Sequence, residues 1–290
     1  MHGDRPLKLQ TRHYSGRDVE IAFDEAGPTD GPAVILLYGG GQTRGSWRRA
    51  VVEGARRGYR MLSIDLRGHG ESGWAADADY SIDASVADFR RLIDVIGQSP
   101  FIVGASLGGV IGLAHAGQGG LLRGLILVDV APRVEPGGVA RIQAFMRGAP
   151  NGFSSLDEAA DAVAAYLPHR SRPRDTSGLR KNLRLGQDGR YHWHWDPRML
   201  DSRGPVAPHR LRKAARGLRA PTLLIRGGLS DVVSAEGARD FLALAPQAEF
   251  VDVAGADHMV AGDRNDAFNS AVFEFLDRHT GRRLGAKTLV

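Results

Sequence analysis

The chain of 290 residues contains no cysteine. That excludes disulfides, a cysteine nucleophile and thiolate metal sites at once. Nor does any stretch approach the roughly 20 apolar residues that a membrane-spanning helix needs. Residues 1–10 carry charges and a proline but no apolar run of leader type. A cytoplasmic protein without a membrane partner is therefore expected. Acidic residues are scarce in one place: residues 133–219 hold 17 Lys/Arg against 8 Asp/Glu, whereas the rest of the chain holds 21 against 25. Such a segment can attract anions. Its arginines are scattered among apolar helical stretches, however, with no compact basic cluster or nucleic-acid motif. A solvated surface is the reading, and no nucleic-acid partner is expected.

What is present is a rhythm. Short apolar runs at 19–24, 33–38, 60–65, 101–103, 124–128, 222–225 and 249–253 alternate with helical patterns at 81–96, 109–116, 235–244 and 266–278. This alternation predicts a mostly parallel sheet covered on both faces. Val34-Ile35-Leu36-Leu37 and Leu125-Ile126-Leu127-Val128 are unbroken apolar stretches, as strands buried on both faces require. Between about residues 133 and 220 the strand signal fades and short helices take over. Ser155-Leu156-Asp157-Glu158 has the form of a capping box, followed by an apolar face of Leu156, Ala160, Val163, Ala164 and Leu167. The expected organisation is a core of residues 1–132 and 221–290, with a helical cap of residues 133–220 over the sheet's carboxyl edge. Ligands of open α/β sheets bind at that edge.

Phe101-Ile102-Val103-Gly104-Ala105-Ser106-Leu107-Gly108-Gly109 runs from an apolar strand through G-x-S-x-G into an apolar helix. A serine on such a sharp turn presents its hydroxyl at the sheet edge, and the flanking glycines remove side chains that would collide. Ser106 is the candidate nucleophile. It needs a base to take its proton. His258, in the loop after the last strand, is the best placed of ten histidines. The order serine, acid, histidine then places the acid after an earlier strand. Asp231, beyond Pro221-Thr222-Leu223-Leu224-Ile225, is the favoured acid, Asp129 is the competitor, and Asp257 stands too close to the histidine to turn toward it. An oxyanion needs preorganised donors. The backbone N–H of Leu107 and that of Gly40, in Gly39-Gly40-Gly41, are the candidates. Alternation in Tyr191-His192-Trp193-His194-Trp195 sets the aromatic rings on one face and the histidines on the other. Trp193 and Trp195, with Tyr38, Trp47, Phe145 and Met146, are candidates to line a substrate pocket. Two histidines without further ligands make no convincing metal site, so no metal is assigned.

The segments around Leu36–Trp47, Asp-Leu-Arg-Gly-His-Gly-Glu-Ser at 65–72, Gly-Ala-Ser-Leu-Gly-Gly at 104–109, and the loops at 227–233 and 255–259 resemble the α/β-hydrolase superfamily. They are similar to its capped branch of esterases, cofactor-free haloperoxidase-like enzymes and carbon–carbon bond hydrolases. The resemblance implies a mostly parallel eight-stranded sheet with an inserted helical cap, a Ser106–Asp231–His258 triad, and no cofactor. It also implies a structural turn around His69. The family usually has His-Gly where this chain has Tyr38-Gly39, and a bulky tyrosine there could push toward the pocket. The expected activity is hydrolysis of a small or medium carboxylic ester, lactone or thioester through an acyl-enzyme on Ser106, the substrate being a small molecule. The alternatives are carbon–carbon hydrolysis of a vinylogous diketone acid, its carboxylate held by the basic cap, or a non-catalytic ligand-binding protein on the same scaffold.

Overall fold

A computed structural model describes residues 8–168, 172, 174–202 and 207–281. Residues 1–7, part of the stretch read for a leader, and Arg170 and Arg203 of the basic segment lie outside the described residues. In chain order the elements are β1 (Gln10–Ser15), β2 (Glu20–Ala26), β3 (Ala33–Leu37), α1 (Arg48–Arg56), β4 (Arg60–Ile64), α2 (Ile82–Ile96), β5 (Phe101–Ala105), α3 (Leu107–Gly117) and β6 (Gly124–Val128). Then follow α4 (Pro136–Arg147), α5 (Leu156–Tyr166), β7 (Leu183–Leu185), β8 (Tyr191–Trp193), α6 (Met199–Ser202) and α7 (Pro208–Arg216). The chain closes with β9 (Thr222–Gly227), α8 (Ala235–Leu244), β10 (Glu249–Val253), α9 (Val260–Asp263) and α10 (Asn265–Thr280).

Eight strands form one sheet in the order β1-β2-β4-β3-β5-β6-β9-β10. From β4 to β10 every pairing is parallel, and β1 and β2 add an antiparallel edge. All residues of β3 and β6 are buried, because helices cover both faces. Each such aliphatic side chain contributes about 1.5–3 kcal/mol by leaving water. β1 escaped the sequence reading: most of its residues, among them Gln10, Thr11 and Arg12, are exposed, so no apolar run marks it.

The strand order decides where chemistry can occur. β3 and β5 are neighbours, and the connection leaving β3 goes to β4 on one side while the connection leaving β5 goes to β6 on the other, which leaves a crevice at the carboxyl end of β3 and β5. Leu37 registers with Gly104, which brings the glycine loop after β3 beside the turn after β5. β9 stands between β6 and β10, with Val128 opposite Ile225 and Val253 opposite Gly227.

The segment between β6 and β9 carries α4, α5, the β7–β8 hairpin and α6 over that edge. Ser155 Oγ accepts from Glu158 N at 3.1 Å, as the capping box predicts, but the glutamate reaches Ser154 N and Oγ rather than the cap residue. α7 behaves differently from the rest of residues 133–220. Its Ala214 packs against Gly117 of α3, so this helix covers the sheet, and the boundary expected at 220 falls later than the packing does. Many of the segment's arginines are paired with carboxylates: Arg133 with Glu236, Arg147 with Asp201, Arg172 with Asp161, and Arg198 with Asp196. No helix among the described residues is long and apolar enough to cross a membrane.

Candidate active site

β5 runs directly into α3 through Ser106, whose backbone stands at φ 46° and ψ −114°. This is a sparsely populated region for a residue with a side chain and costs about 1–3 kcal/mol. Buried hydrogen bonds hold it: Ser106 N donates to Val128 O at 3.1 Å, and Gly108 N donates to Tyr38 O at 3.0 Å. A Cβ on Gly108 would lie 2.3 Å from Leu37 O, and one on Gly104 would lie 2.6 Å from the Gly108 carbonyl carbon. Only glycine allows the strand and helix to meet so closely. The turn leaves Ser106 half-buried on the wall of a cavity of about 380 Å³ that His258 also lines.

The structure pairs His258 with Asp129 rather than with the favoured Asp231. His258 Nδ1 bonds Asp129 Oδ2 at 2.7 Å, whereas Asp231 pairs with Arg141 of α4 at 2.7 Å. Asp129 follows β6 in the left-handed region, at φ 48°, and is fully buried. Its Oδ1 accepts from Gly227 N at 2.9 Å, at the end of β9. Its Oδ2 also accepts from Ser230 Oγ at 2.5 Å. That serine hydroxyl in turn accepts from Val232 N and Val233 N, both at 3.1 Å, so its proton goes to Asp129. The carboxylate of Asp129 thus reaches over the end of β9 to the imidazole. Asp231 is turned outward, its backbone packed against Gly138 of α4. Asp257 caps its own turn, accepting from Met259 N at 2.7 Å.

The loop after β3 forms a tight turn in which Gln42 N donates to Gly39 O at 3.2 Å. Gly41, at φ 79°, occupies the position where a type II turn demands a left-handed residue. Two of the three glycine N–H groups are engaged. Gly39 N donates to Gln42 Oε1 and Gly41 N to His69 Nε2, each at 3.2 Å. Gly40 N–H and Leu107 N–H have no hydrogen-bond partner among the described residues. A Cβ on Gly39 would stand 3.9 Å from Ser106 Oγ, so this loop faces the serine closely.

Tyr38, expected at the pocket, is not on its wall. The side chain is fully buried beneath the loop, where its hydroxyl accepts from Leu66 N at 2.7 Å and donates to Asp65 Oδ1 at 3.4 Å. Burial, with the Asp65 carboxylate beside it, holds the phenol well above its ordinary pKa and keeps it protonated. The bulk that could have invaded the pocket therefore braces the loop from below.

Trp47, Phe145, Met146, Trp193 and Trp195 do line the cavity. The two tryptophans are stacked with centroids 4.9 Å apart, and Phe145 stacks on Tyr166 at 4.3 Å. Val163 and Leu167, from the apolar face of α5, add to this wall. Gln42, Leu179, Asn182 and Met259 also line it, and nothing in their local sequence marks them. Among the described residues, no Asp, Glu, Lys or Arg lines the cavity.

The two cap histidines part. His192 bonds Asp188 at the surface, at 2.9 Å, while His194 is buried against the glycine loop after β3. His194 Nδ1 accepts from Gly70 N at 2.8 Å, and Nε2 donates to Gly41 O at 3.3 Å. Burial depresses its pKa from 6.5 to about 4, so the ring is neutral near pH 7. Strand alternation singled out this residue, but only the tertiary contact explains it.

Among known proteins, a family model described as the alpha/beta hydrolase fold matches residues 32–264. Esterase Rv0045c of Mycobacterium tuberculosis is 32% identical over 211 residues, 70% of this chain and 68% of that one. A crystal structure of that esterase superposes with a TM-score of 0.74 at 26% identity, covering 94% of this chain and 93% of the other. Protein phosphatase methylesterase 1 of Bos taurus is 33% identical over 161 residues, 52% of this chain; the match spans only 41% of that relative's length. E-2-(acetamidomethylene)succinate hydrolase shares the fold, with a TM-score of 0.82 at 22% identity over 93% of this chain and 100% of the other. With the match running through the sheet, the serine turn and the histidine loop, the chain belongs to the α/β-hydrolase family and is a hydrolase enzyme.

Proposed function

We propose that the protein hydrolyses neutral carboxylic esters through an acyl-enzyme on Ser106, with His258 as base and Asp129 as its partner. The observation that carries this reading is the Asp129–His258 bond, with His258 and Ser106 on the wall of one cavity. His258 Nε2 takes the Ser106 proton as Oγ attacks the substrate carbonyl carbon. The oxyanion accepts from Gly40 N–H and Leu107 N–H, which have no hydrogen-bond partner among the described residues. Asp129 holds Nδ1–H and stabilises the imidazolium. Collapse of the intermediate breaks the ester C–O bond, and the alcohol leaves with the proton from His258. Water, deprotonated by the same nitrogen, then releases the acid and restores Ser106.

The wall of tryptophan, phenylalanine and aliphatic side chains suits an uncharged acyl chain of small or medium size, whether ester, lactone or thioester. In the carbon–carbon bond reading, the basic cap could hold a substrate carboxylate. Among the described residues no lysine or arginine lines the cavity, which favours the neutral ester. The named esterase relatives support the same class. The test is turnover of p-nitrophenyl esters of graded chain length by the wild type and Ser106→Ala. A burst, and a loss of about 10⁴-fold or more in the variant, are expected; full activity in Ser106→Ala would refute the mechanism.

A further inference from the structure

We infer that His194, carried by the cap, is a positioning residue for the oxyanion loop, acting through the Gly41 carbonyl to hold Gly40 N–H in register with Ser106. The inference rests on the reading of Ser106 as nucleophile and of Gly40 as an oxyanion donor.

The geometry follows from the hairpin. Trp193 and Trp195 face the cavity, so alternation turns His194 to the other side, onto the loop after β3. Its Nδ1 accepts from Gly70 N, which requires that nitrogen to be bare and leaves the ring proton on Nε2. That proton is directed at Gly41 O. On the other side of the same residue, Gly41 N–H is held by His69 Nε2, while His69 Nδ1 bonds Arg67 O at 3.1 Å. Two buried histidines, one from the core turn and one from the cap, thus hold the successive peptide groups on either side of the Gly41 Cα. The residue between them is a left-handed glycine, the type with the widest freedom to rotate when its neighbours let go. Its dihedral angles, with those of Gly40, set the turn from Gly39 to Gln42, so a rotation at Gly41 shifts Gly40 N–H through that turn. A Cβ on Gly41 would stand 3.4 Å from the Trp195 ring, so the cap also bears on this residue sterically. The cap is therefore part of the device that orients the oxyanion donor as well as a wall of the pocket.

The two ring nitrogens can be separated by substitution. The amide oxygen of His194→Asn sits where Nδ1 sits and keeps the Gly70 bond, but nothing reaches Gly41. The amide nitrogen of His194→Gln reaches the Nε2 position and keeps the Gly41 bond. Steady-state kinetics on a p-nitrophenyl ester, corrected for active serine by titration with a fluorophosphonate, should show kcat reduced about 10–100-fold in His194→Asn. This lies below the 10²–10³ expected for outright loss of an oxyanion donor. KM should stay within about threefold, and His194→Gln should retain most of kcat. If His194 only anchors the Gly70 turn, Asn will outperform Gln; that order, or wild-type kcat in both variants, overturns the inference. Should both variants fail to fold, ¹⁵N-imidazole NMR of the wild type decides. A proton on Nε2 whose shift moves when a phosphonate adduct forms on Ser106 supports the positioning role. A proton on Nδ1, or an Nε2–H indifferent to the adduct, refutes it. Ser106→Ala kept alongside separates the two levels: an active Ser106→Ala sinks the serine mechanism itself, whereas an inactive one beside normal His194 variants sinks only the role of His194.

Discussion

Replacing Asp129 by asparagine removes one negative charge from beneath His258 with almost no change of volume. The carboxylate is fully buried and bonded to Nδ1 at 2.7 Å. When His258 gains the serine proton, the two groups become an ion pair. With charge centres about 3–4 Å apart and an effective dielectric constant of about 20, the attraction is roughly 4–6 kcal/mol. Losing it, at about 1.4 kcal/mol per decade, lowers kcat by roughly 10³–10⁴-fold. Asparagine also has to present an amide to Gly227 N, Ser230 Oγ and the imidazole together, which disfavours the Nδ1–H tautomer. The comparison is Asp231→Asn. That change breaks a pair whose Arg141 and Asp231 side chains are 57% and 32% exposed, worth about 0–1 kcal/mol of stability. Its kcat should change less than about threefold. Both variants are assayed on p-nitrophenyl butyrate near pH 8, with folding checked by circular dichroism. An inactive Asp231→Asn beside an active Asp129→Asn would refute the geometry of the site and restore the acid favoured from the sequence.

Ser230→Ala deletes the hydroxyl that joins Asp129 to the turn after β9; kcat should fall about tenfold and urea should report a loss of about 1–3 kcal/mol, whereas unchanged kinetics would show that Gly227 N–H alone aligns the carboxylate. His194 gives the stability a pH dependence. Its pKa is about 4 in the native chain and near 6.5 when unfolded, so below the higher value the unfolded chain binds a proton that the native one refuses. The stability associated with neutral His194 is complete above about pH 6.5 and declines as pH falls toward 4, by about 1.4 kcal/mol per unit and about 3 kcal/mol in all. Urea unfolding at about pH 7.5, 6 and 5 should show a shallower decline in His194→Gln than in the wild type; parallel declines would refute this.

Ser106 was legible because everything that marks it is contiguous: an apolar strand, a glycine-flanked turn and an apolar helix fall within Phe101 to Gly117. The parallel sheet was legible for the same reason, since strands buried on both faces must be apolar along their length. β1 was not, because an edge strand exposed to water needs no such run. His258 could be placed by its position after the last strand. The acid could not, because Asp129 and Asp231 each follow an apolar strand and look alike locally. The side-by-side order of β6, β9 and β10 decided between them, with the left-handed backbone at Asp129 turning its carboxylate over the end of β9 while α4 drew Asp231 outward. Tyr38 and His194 teach the same lesson. Their chemistry depends on which distant backbone group each one meets, Leu66 N for the tyrosine and Gly41 O for the histidine. The sequence by itself determined most of the elements, the strand–serine–helix turn at Ser106 and the side of the sheet on which that turn stands, because these depend on neighbours in the chain. Tertiary structure decided which carboxylate His258 meets, the bracing of the glycine loop after β3 and the aromatic wall of the cavity, because each is a meeting of side chains and backbone far apart in sequence.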